Sequence, residues 1–329
     1  MKQLLLLIGL FISLGAAARD FKYDGIIYTV IDEANKCVET KAGYSEKVDD
    51  DTKYYAGNDV TYYSLDLPAK VYDDDEEYTL TRIGDISFTG STIFKLTLPE
   101  TVTEIGFKGF SVCTWLYDVK LPEEMETVGE EAFSGCIRLT EVDLANVNTI
   151  GKMAFALCMG LEHIDIPESV KTIESQAFTM SALKSISIPH VREIGSMAFW
   201  VCTNLESVQL GNDLIDLGIM AFAECPLTKI YYNTEFPALT LKSTFDDEVY
   251  EKAALYVPAS SKSTFETITP WSYFTNIQEI DFSGVEDIEI SDSAECKYYD
   301  LNGRPLTNPV SGQIVIKRQG NKTTKVVLP

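Results

Sequence analysis

The sequence predicts a solenoid, a stack of short coils that each contribute one short β-strand to a shared core. The first observation behind this is a fixed period. Seven aliphatic residues, Ile83, Ile105, Val128, Ile150, Ile173, Ile194 and Leu217, recur at intervals of 22, 23, 22, 23, 21 and 23 residues, and a phenylalanine stands five places after each, from Phe88 to Phe222. The second is a column of small residues three places after each Phe: Ser91, Cys113, Cys136, Cys158, Ser181, Cys202 and Cys225. The third is a leucine followed by an alternating apolar run, as in Leu116 with Val119 and Leu121, or Leu161 with Ile164 and Ile166. A two-residue period marks a strand with one buried face, and Pro122, Pro167 and Pro189 end several of these runs by withholding the next ladder N–H. One coil cannot bury its own apolar face, whereas stacked coils share a continuous core; at about 4.8 Å between strands, seven coils span roughly 34 Å. The segment between each Phe and the leucine has room for a tight turn or one helical turn.

In chain order, Lys2, an apolar run from Leu4 to Leu14 and Ala16-Ala17-Ala18 before Arg19 make the charged, apolar and small-residue parts of an export signal. That run is too short to span a bilayer, and no later stretch reaches the roughly 18 apolar residues a spanning helix needs. Residues 1–18 are therefore expected to be removed near Ala18, leaving a secreted or outer-surface protein with no transmembrane segment.

Residues 19–79 fall outside the repeat frame. Phe21 with Gly25 to Val30 reads as a strand or hairpin, and Tyr62, Tyr63, Leu65 and Leu67 as another. Together they suit an N-terminal β cap over the core and strand edge that a first coil leaves open. The acidic runs Asp49 to Asp51 and Asp73 to Glu77 lack the D-x-D-x-D-G spacing that wraps oxygen ligands around calcium, and read as solvated loop tips.

Residues 80–282 hold the coils and a C-terminal cap. Leu239, Leu241 and Phe245 suggest parts of an eighth coil, Leu255 to Pro258 a last strand, and Trp271 a core plug beside Phe274 and Ile277. After Ser283-Gly284, residues 285–329 read as a small β-module, with the turn dipeptide Asn302-Gly303 and strands at 313–317 and 323–328. Within it, residues 297–329 carry six basic residues between Lys297 and Lys325 and the single acid Asp300, a basic end on an acidic body that suits attachment to an anionic envelope or to the body itself.

The formal charge of −23 argues against a nucleic-acid partner, which needs clustered Lys and Arg. Only two histidines occur, His163 and His190, and no metalloprotease, nucleophile-elbow, P-loop or C-x-x-C motif is present. No catalytic residue, metal ligand or cofactor is expected, and the chain does not read as an enzyme. The five repeat cysteines read as a packing ladder, because buried free Cys behaves as a small hydrophobe. A disulfide between neighbours such as Cys136 and Cys158 is the alternative, since one coil pitch approaches the Cα separation of a disulfide. Metal binding is disfavoured, because a ladder spreads thiols along a line. Cys37 and Cys296 stand outside the array.

The repeat I-G-x-x-A-F-x-x-C-x-x-L-x-x-I-x-L-P resembles the BspA-like leucine-rich-repeat family of bacterial surface proteins, over about residues 80 to 280. The fold so implied is a leucine-rich-repeat solenoid with an N-terminal β cap and a small C-terminal β-module. Phe21 followed by Gly25-Ile26 and Tyr28 resembles the opening strand of many members, and the run from Tyr299 to Arg304 resembles C-terminal sorting or anchoring modules of Bacteroidetes exported proteins. The resemblance implies adhesion to host or neighbouring bacterial surface proteins, extracellular matrix among them. A glycan-binding surface protein and a structural spacer are the alternatives.

The strand columns place the candidate site. Around each central aliphatic two residues are expected to face solvent: Lys95 and Thr97, Asp118 and Lys120, Glu141 and Asp143, His163 and Asp165, Ser185 and Ser187, Ser207 and Gln209, Lys229 and Tyr231. These vary freely while the buried columns do not. Asp118, Lys120, Glu141, Asp143, His163 and Asp165 form a mostly acidic middle suited to a basic partner. In these columns Tyr231 is the only aromatic, which favours a protein ligand over a glycan.

Overall fold

The structure, a computed structural model, describes residues 19–42, 62–282, 297–299, 305–306, 314–319 and 322–327. The export signal, the run from Asp49 to Asp51, Ser283-Gly284, Cys296 and the Asn302-Gly303 turn lie outside the described residues.

The coils stack as a parallel solenoid, and each carries a second strand besides the expected one. The aliphatic before the repeat Gly lies in a two-residue strand of its own, so that Thr127–Val128 pairs in parallel with Glu104–Ile105 on one side and Thr149–Ile150 on the other. Two residues are too few to show an alternation, which is why periodicity passes over this strand. The narrow sheet so made runs unbroken from Glu104–Ile105 to Asp216–Leu217. Across the core a broad sheet holds the expected strands, in two pieces. Tyr62–Asp66, Ile93–Thr97, Asp118–Lys120 and Glu141–Asp143 form one, and Ser185–Ile188, Ser207–Leu210, Lys229–Tyr232, Ala254–Pro258 and Asn276–Ile280 the other.

Between the sheets the chain turns without a helix. The third residue after the aliphatic and the second after the Phe are left-handed in every coil, as at Glu131 (φ 55°) and Gly135 (φ 75°), or Met153 (φ 54°) and Leu157 (φ 61°). A left-handed non-glycine residue costs roughly 1–2 kcal/mol. What offsets this is a third ladder: the amides of Glu131, Phe133 and Gly135 donate to the carbonyls of Lys152, Ala154 and Ala156 one coil on, at 2.8, 2.9 and 2.8 Å. The repeat Gly serves a different need. A Cβ at Gly129 would stand 2.0 Å from the Ile105 carbonyl oxygen, so the column admits close coil-to-coil approach.

The Phe column is the centre of the core. Neighbouring rings from Phe88 to Phe222 stack at centroid separations of 5.0 to 5.7 Å, and Phe245 adds an eighth rung 5.6 Å beyond Phe222. The eighth coil is thus partial, for Leu239 and Leu241 point outward, at 78% and 54% exposure.

The cysteine column lies beside it. Each thiol donates to the carbonyl of the Phe one coil back: Cys113 to Phe88 (3.1 Å), Cys136 to Phe110 (3.2 Å), Cys158 to Phe133 (3.3 Å), Cys202 to Phe178 (3.1 Å) and Cys225 to Phe199 (3.0 Å). All five are free, and burial pushes the Cys113 thiol up to about 12. Ser91, in the first coil, has no earlier rung to donate to, and its hydroxyl makes no hydrogen bond among the described residues.

Both ends are closed. Asp20–Tyr23, Ile26–Asp32 and Cys37–Lys41 form an antiparallel meander whose last strand runs parallel to Glu76–Ile83 and so continues the narrow sheet. Arg82 ties this cap to the first two coils through Glu39, Asp85 (2.7 Å) and Glu104 (2.9 Å). The acidic run from Asp73 to Glu77 is a hairpin tip, with Asp74 left-handed at φ 52°. Its carboxylates meet the protein's own cations, Asp73 with Arg19, Glu76 with Lys36 and Glu77 with Lys70.

At the other end Trp271 is fully buried, donates from Nε1 to the Ala238 carbonyl at 2.9 Å, and packs against Tyr232, Phe245 and Phe265. Ala254–Pro258 is not the last strand, because Asn276–Ile280 pairs beyond it. Further on, Lys297–Tyr299, Pro305–Leu306, Ile314–Gln319 and Lys322–Val327 form an antiparallel four-stranded sheet. Among the described residues no helix is long and apolar enough to cross a membrane.

Candidate functional site

The broad sheet carries four of the six predicted site residues. Register sets Glu141 beside Asp118 and Asp143 beside Lys120, so four of the six form a compact block on two paired strands. Asp118 is partly buried and pairs with Lys95 at 2.5 Å, a contact that holds the Lys95 ammonium above its usual range. Asp143 accepts the Ala145 amide at 3.1 Å. Lys120, Glu141 and Asp143 are exposed.

His163 and Asp165 flank the buried Ile164 and are exposed, yet no strand forms there. The broad sheet breaks at this coil, beside the shortest repeat interval, the 21 residues from Ile173 to Ile194. The rim of His163 is open to solvent. Desolvation, followed by the nearby Lys184 ammonium, still draws its pKa below the ordinary imidazole value. Lys184 itself pairs with Glu162 at 2.6 Å.

Farther along, the expected solvent columns close. Ser207 and Gln209 are only 5% and 3% exposed. Gln209 lies in register between Ser187, whose hydroxyl donates to its Oε1 at 3.0 Å, and Tyr231. Tyr231 is not alone, since Tyr256 in the next strand stacks on it at 4.6 Å.

A second aromatic group was missed because it flanks the leucine column rather than the central aliphatic. Trp115 and Tyr117 stand on either side of the buried Leu116 and are 41% and 46% exposed. Phe94 packs on Trp115 at 5.5 Å, and the guanidinium of Arg138, from the next coil, lies 3.8 Å over the Trp115 ring. The signal was present in sequence as Trp115-Leu116 and Arg138-Leu139, the same pair of columns 23 residues apart. Among the described residues no His, Cys, Asp and Glu group could hold a metal ion.

A family model described as BspA type leucine rich repeat region matches the chain in six copies, over residues 81–192, 139–248 and 171–296. No curated protein matches the sequence. Among solved structures the chain is similar to a leucine rich cell surface protein from Faecalibacterium prausnitzii A2-165, at 19% identity over 80% of this chain and 96% of that one, with a TM-score of 0.40. It is also similar to the T. pallidum Leucine Rich Repeat protein, at 18% identity over 76% and 96% with a TM-score of 0.46. The pneumococcal vaccine antigen PcpA is similar at 14% identity over 80% and 99%, with a TM-score of 0.41.

Proposed function

We propose, for a chain that belongs to the BspA-type leucine-rich-repeat family, that it is an exported adhesion protein which binds protein ligands through the outward side of its solenoid. The observation that supports this most is the contrast between columns. The residues that face the core repeat coil after coil, whereas the exposed block of Lys120, Glu141 and Asp143 with His163 and Asp165 follows no repeat. Fixed columns build the scaffold, and free ones are available for recognition. The ligand is a protein on a host or neighbouring bacterial surface, extracellular matrix being one source. The chain binds rather than catalyses, with a leader cleaved near Ala18 and residues 285–329 serving in sorting or anchoring.

The test uses purified protein lacking residues 1–18 against immobilised matrix and bacterial surface proteins, at low and high salt. Charge reversal at Glu141, Asp143 and Asp165 is expected to weaken binding at least about tenfold and to leave the melting midpoint nearly unchanged. Undiminished binding by the triple variant at low salt moves the site elsewhere. A glycan ligand has one observation in its favour, the stacked Tyr231–Tyr256 pair, and glycan-array binding lost in Tyr256→Ala would establish it.

A further inference from the structure

We propose that the anchor point for a partner protein is the corner built by Trp115, Tyr117 and Arg138 with Val112, Ile137 and Met159, and that the segment docking there carries an acidic side chain beside an apolar one. This rests on the protein-binding reading above and gives it a different centre from the acidic strand block. Val112 (49%), Ile137 (43%) and Met159 (58%) are exposed in the turn segments of three successive coils, the first two of which carry Trp115 and Arg138. Isolated exposed apolar residues need no explanation, but a rimmed cluster of them marks an interaction surface. Trp, Tyr, Arg and Met are also the residue types enriched where protein interfaces concentrate their binding energy.

The chemistry of the cluster selects the occupant. A sugar ring stacks on an open aromatic face, and here the Trp115 face is taken by the Arg138 guanidinium at 3.8 Å while Phe94 packs against the same ring at 5.5 Å. The surrounding exposed residues Val112, Ile137 and Met159 are aliphatic and thioether. The Arg138 side chain is nevertheless exposed. Among the described residues no carboxylate pairs with it, in contrast to Arg19 and Arg82. A guanidinium fixed on an indole is pre-organised to take a carboxylate bidentately, and little rotamer freedom is left to lose on binding. An apolar side chain of the partner, next to that carboxylate, covers Ile137 and Met159.

A random peptide display library panned on the purified protein without residues 1–18 tests this, with selected peptides resynthesised and titrated against variants. The expected result is enrichment of peptides with Asp or Glu adjacent to a bulky apolar residue. Their affinity should fall at least about tenfold in both Trp115→Ala and Arg138→Gln, fall less in Arg138→Lys, and not fall in the Glu141, Asp143 and Asp165 reversal, since Glu141 lies beside Tyr117 and its reversal favours an acidic peptide. These side chains lie at the surface, so circular dichroism melts should match the parent protein. Enrichment of basic peptides that depend on the reversed acids would overturn the inference and leave the protein-binding reading standing. No enriched peptide, or glycan binding that Trp115→Ala abolishes, would overturn it as well. Peptide binding indifferent to Trp115 and Arg138 places the anchor elsewhere. Failure of the parent protein to bind any protein or peptide removes both readings together.

Discussion

Eight phenylalanine rings from Phe88 to Phe245 stack without a gap, and beside them the narrow sheet and the turn ladder continue through the repeat coils. On the opposite side of the same coils the broad sheet stops after Glu141–Asp143 and resumes at Ser185–Ile188. The two sides share one chain and one pitch, so the difference lies in what each has to satisfy. The Phe side has stacked rings and turn amides on the next coil at every step, joined at five of its coils by a thiol on a Phe carbonyl. A change in one coil there is felt in both neighbours. The broad side asks only that its central aliphatic be buried, so its ladder can lapse at Ile164 while that residue stays in the core.

The sharpest way to break this comparison is to remove a central rung. Phe155 is fully buried and stacks on Phe133 and Phe178 at 5.6 and 5.5 Å. Phe155→Ala is expected to cost about 3–5 kcal/mol. An unchanged thermal midpoint would show that the column is not what holds the coils together. Next in size is Gly129→Ala, which forces a Cβ against the Ile105 carbonyl where the backbone has no slack. A loss of about 1–3 kcal/mol is expected, as for other overpacked sites. Alanine at the exposed Lys120 serves as the control, since surface substitutions of this kind usually fall within about 0.5 kcal/mol.

The thiol column sharpens the comparison further. Cys136→Val removes the thiol donor from the Phe110 carbonyl, which keeps only the Cys113 amide at 3.4 Å, and is expected to cost about 1 kcal/mol, whereas Cys136→Ser keeps a donor in place and should cost less. In the folded protein the five thiols should resist alkylation because they are buried, with desolvation also holding Cys113, Cys136 and Cys158 protonated, and all five should react once it is denatured. Mass spectrometry that finds Cys136 joined to Cys158 would replace the hydrogen-bonded ladder with a cross-linked one.

The smallest effect belongs to the broken coil. His163 has a folded pKa below its ordinary 6.5, with desolvation as the leading cause. Unfolded chain therefore binds more protons at this site over the window between the folded value and 6.5, so stability rises with pH across that window. Acidification from about pH 7.5 to 5.5 should lower the melting point of the parent protein slightly more than that of His163→Gln. Equal slopes would mean that the imidazole is as well solvated as in the unfolded chain.

The sequence by itself determined the solenoid, the position of every Phe rung and the burial of Trp271, because each depends on a residue type recurring in one column or on bulk with nowhere else to go. It also showed the cysteines as one column, and the structure added the reason, a carbonyl one coil back for each thiol to meet. Only the tertiary structure decided the rest. The two-residue strands and the left-handed turns exist through partners about 22 residues away, and neither leaves a local pattern of its own. Exposure was decided there too. Gln209 and Trp115 are both neighbours of buried aliphatics, yet one is 3% exposed and the other 41%. Whether a strand residue is available to a ligand depends on what the neighbouring coils place around it, which the alternation along its own strand does not contain.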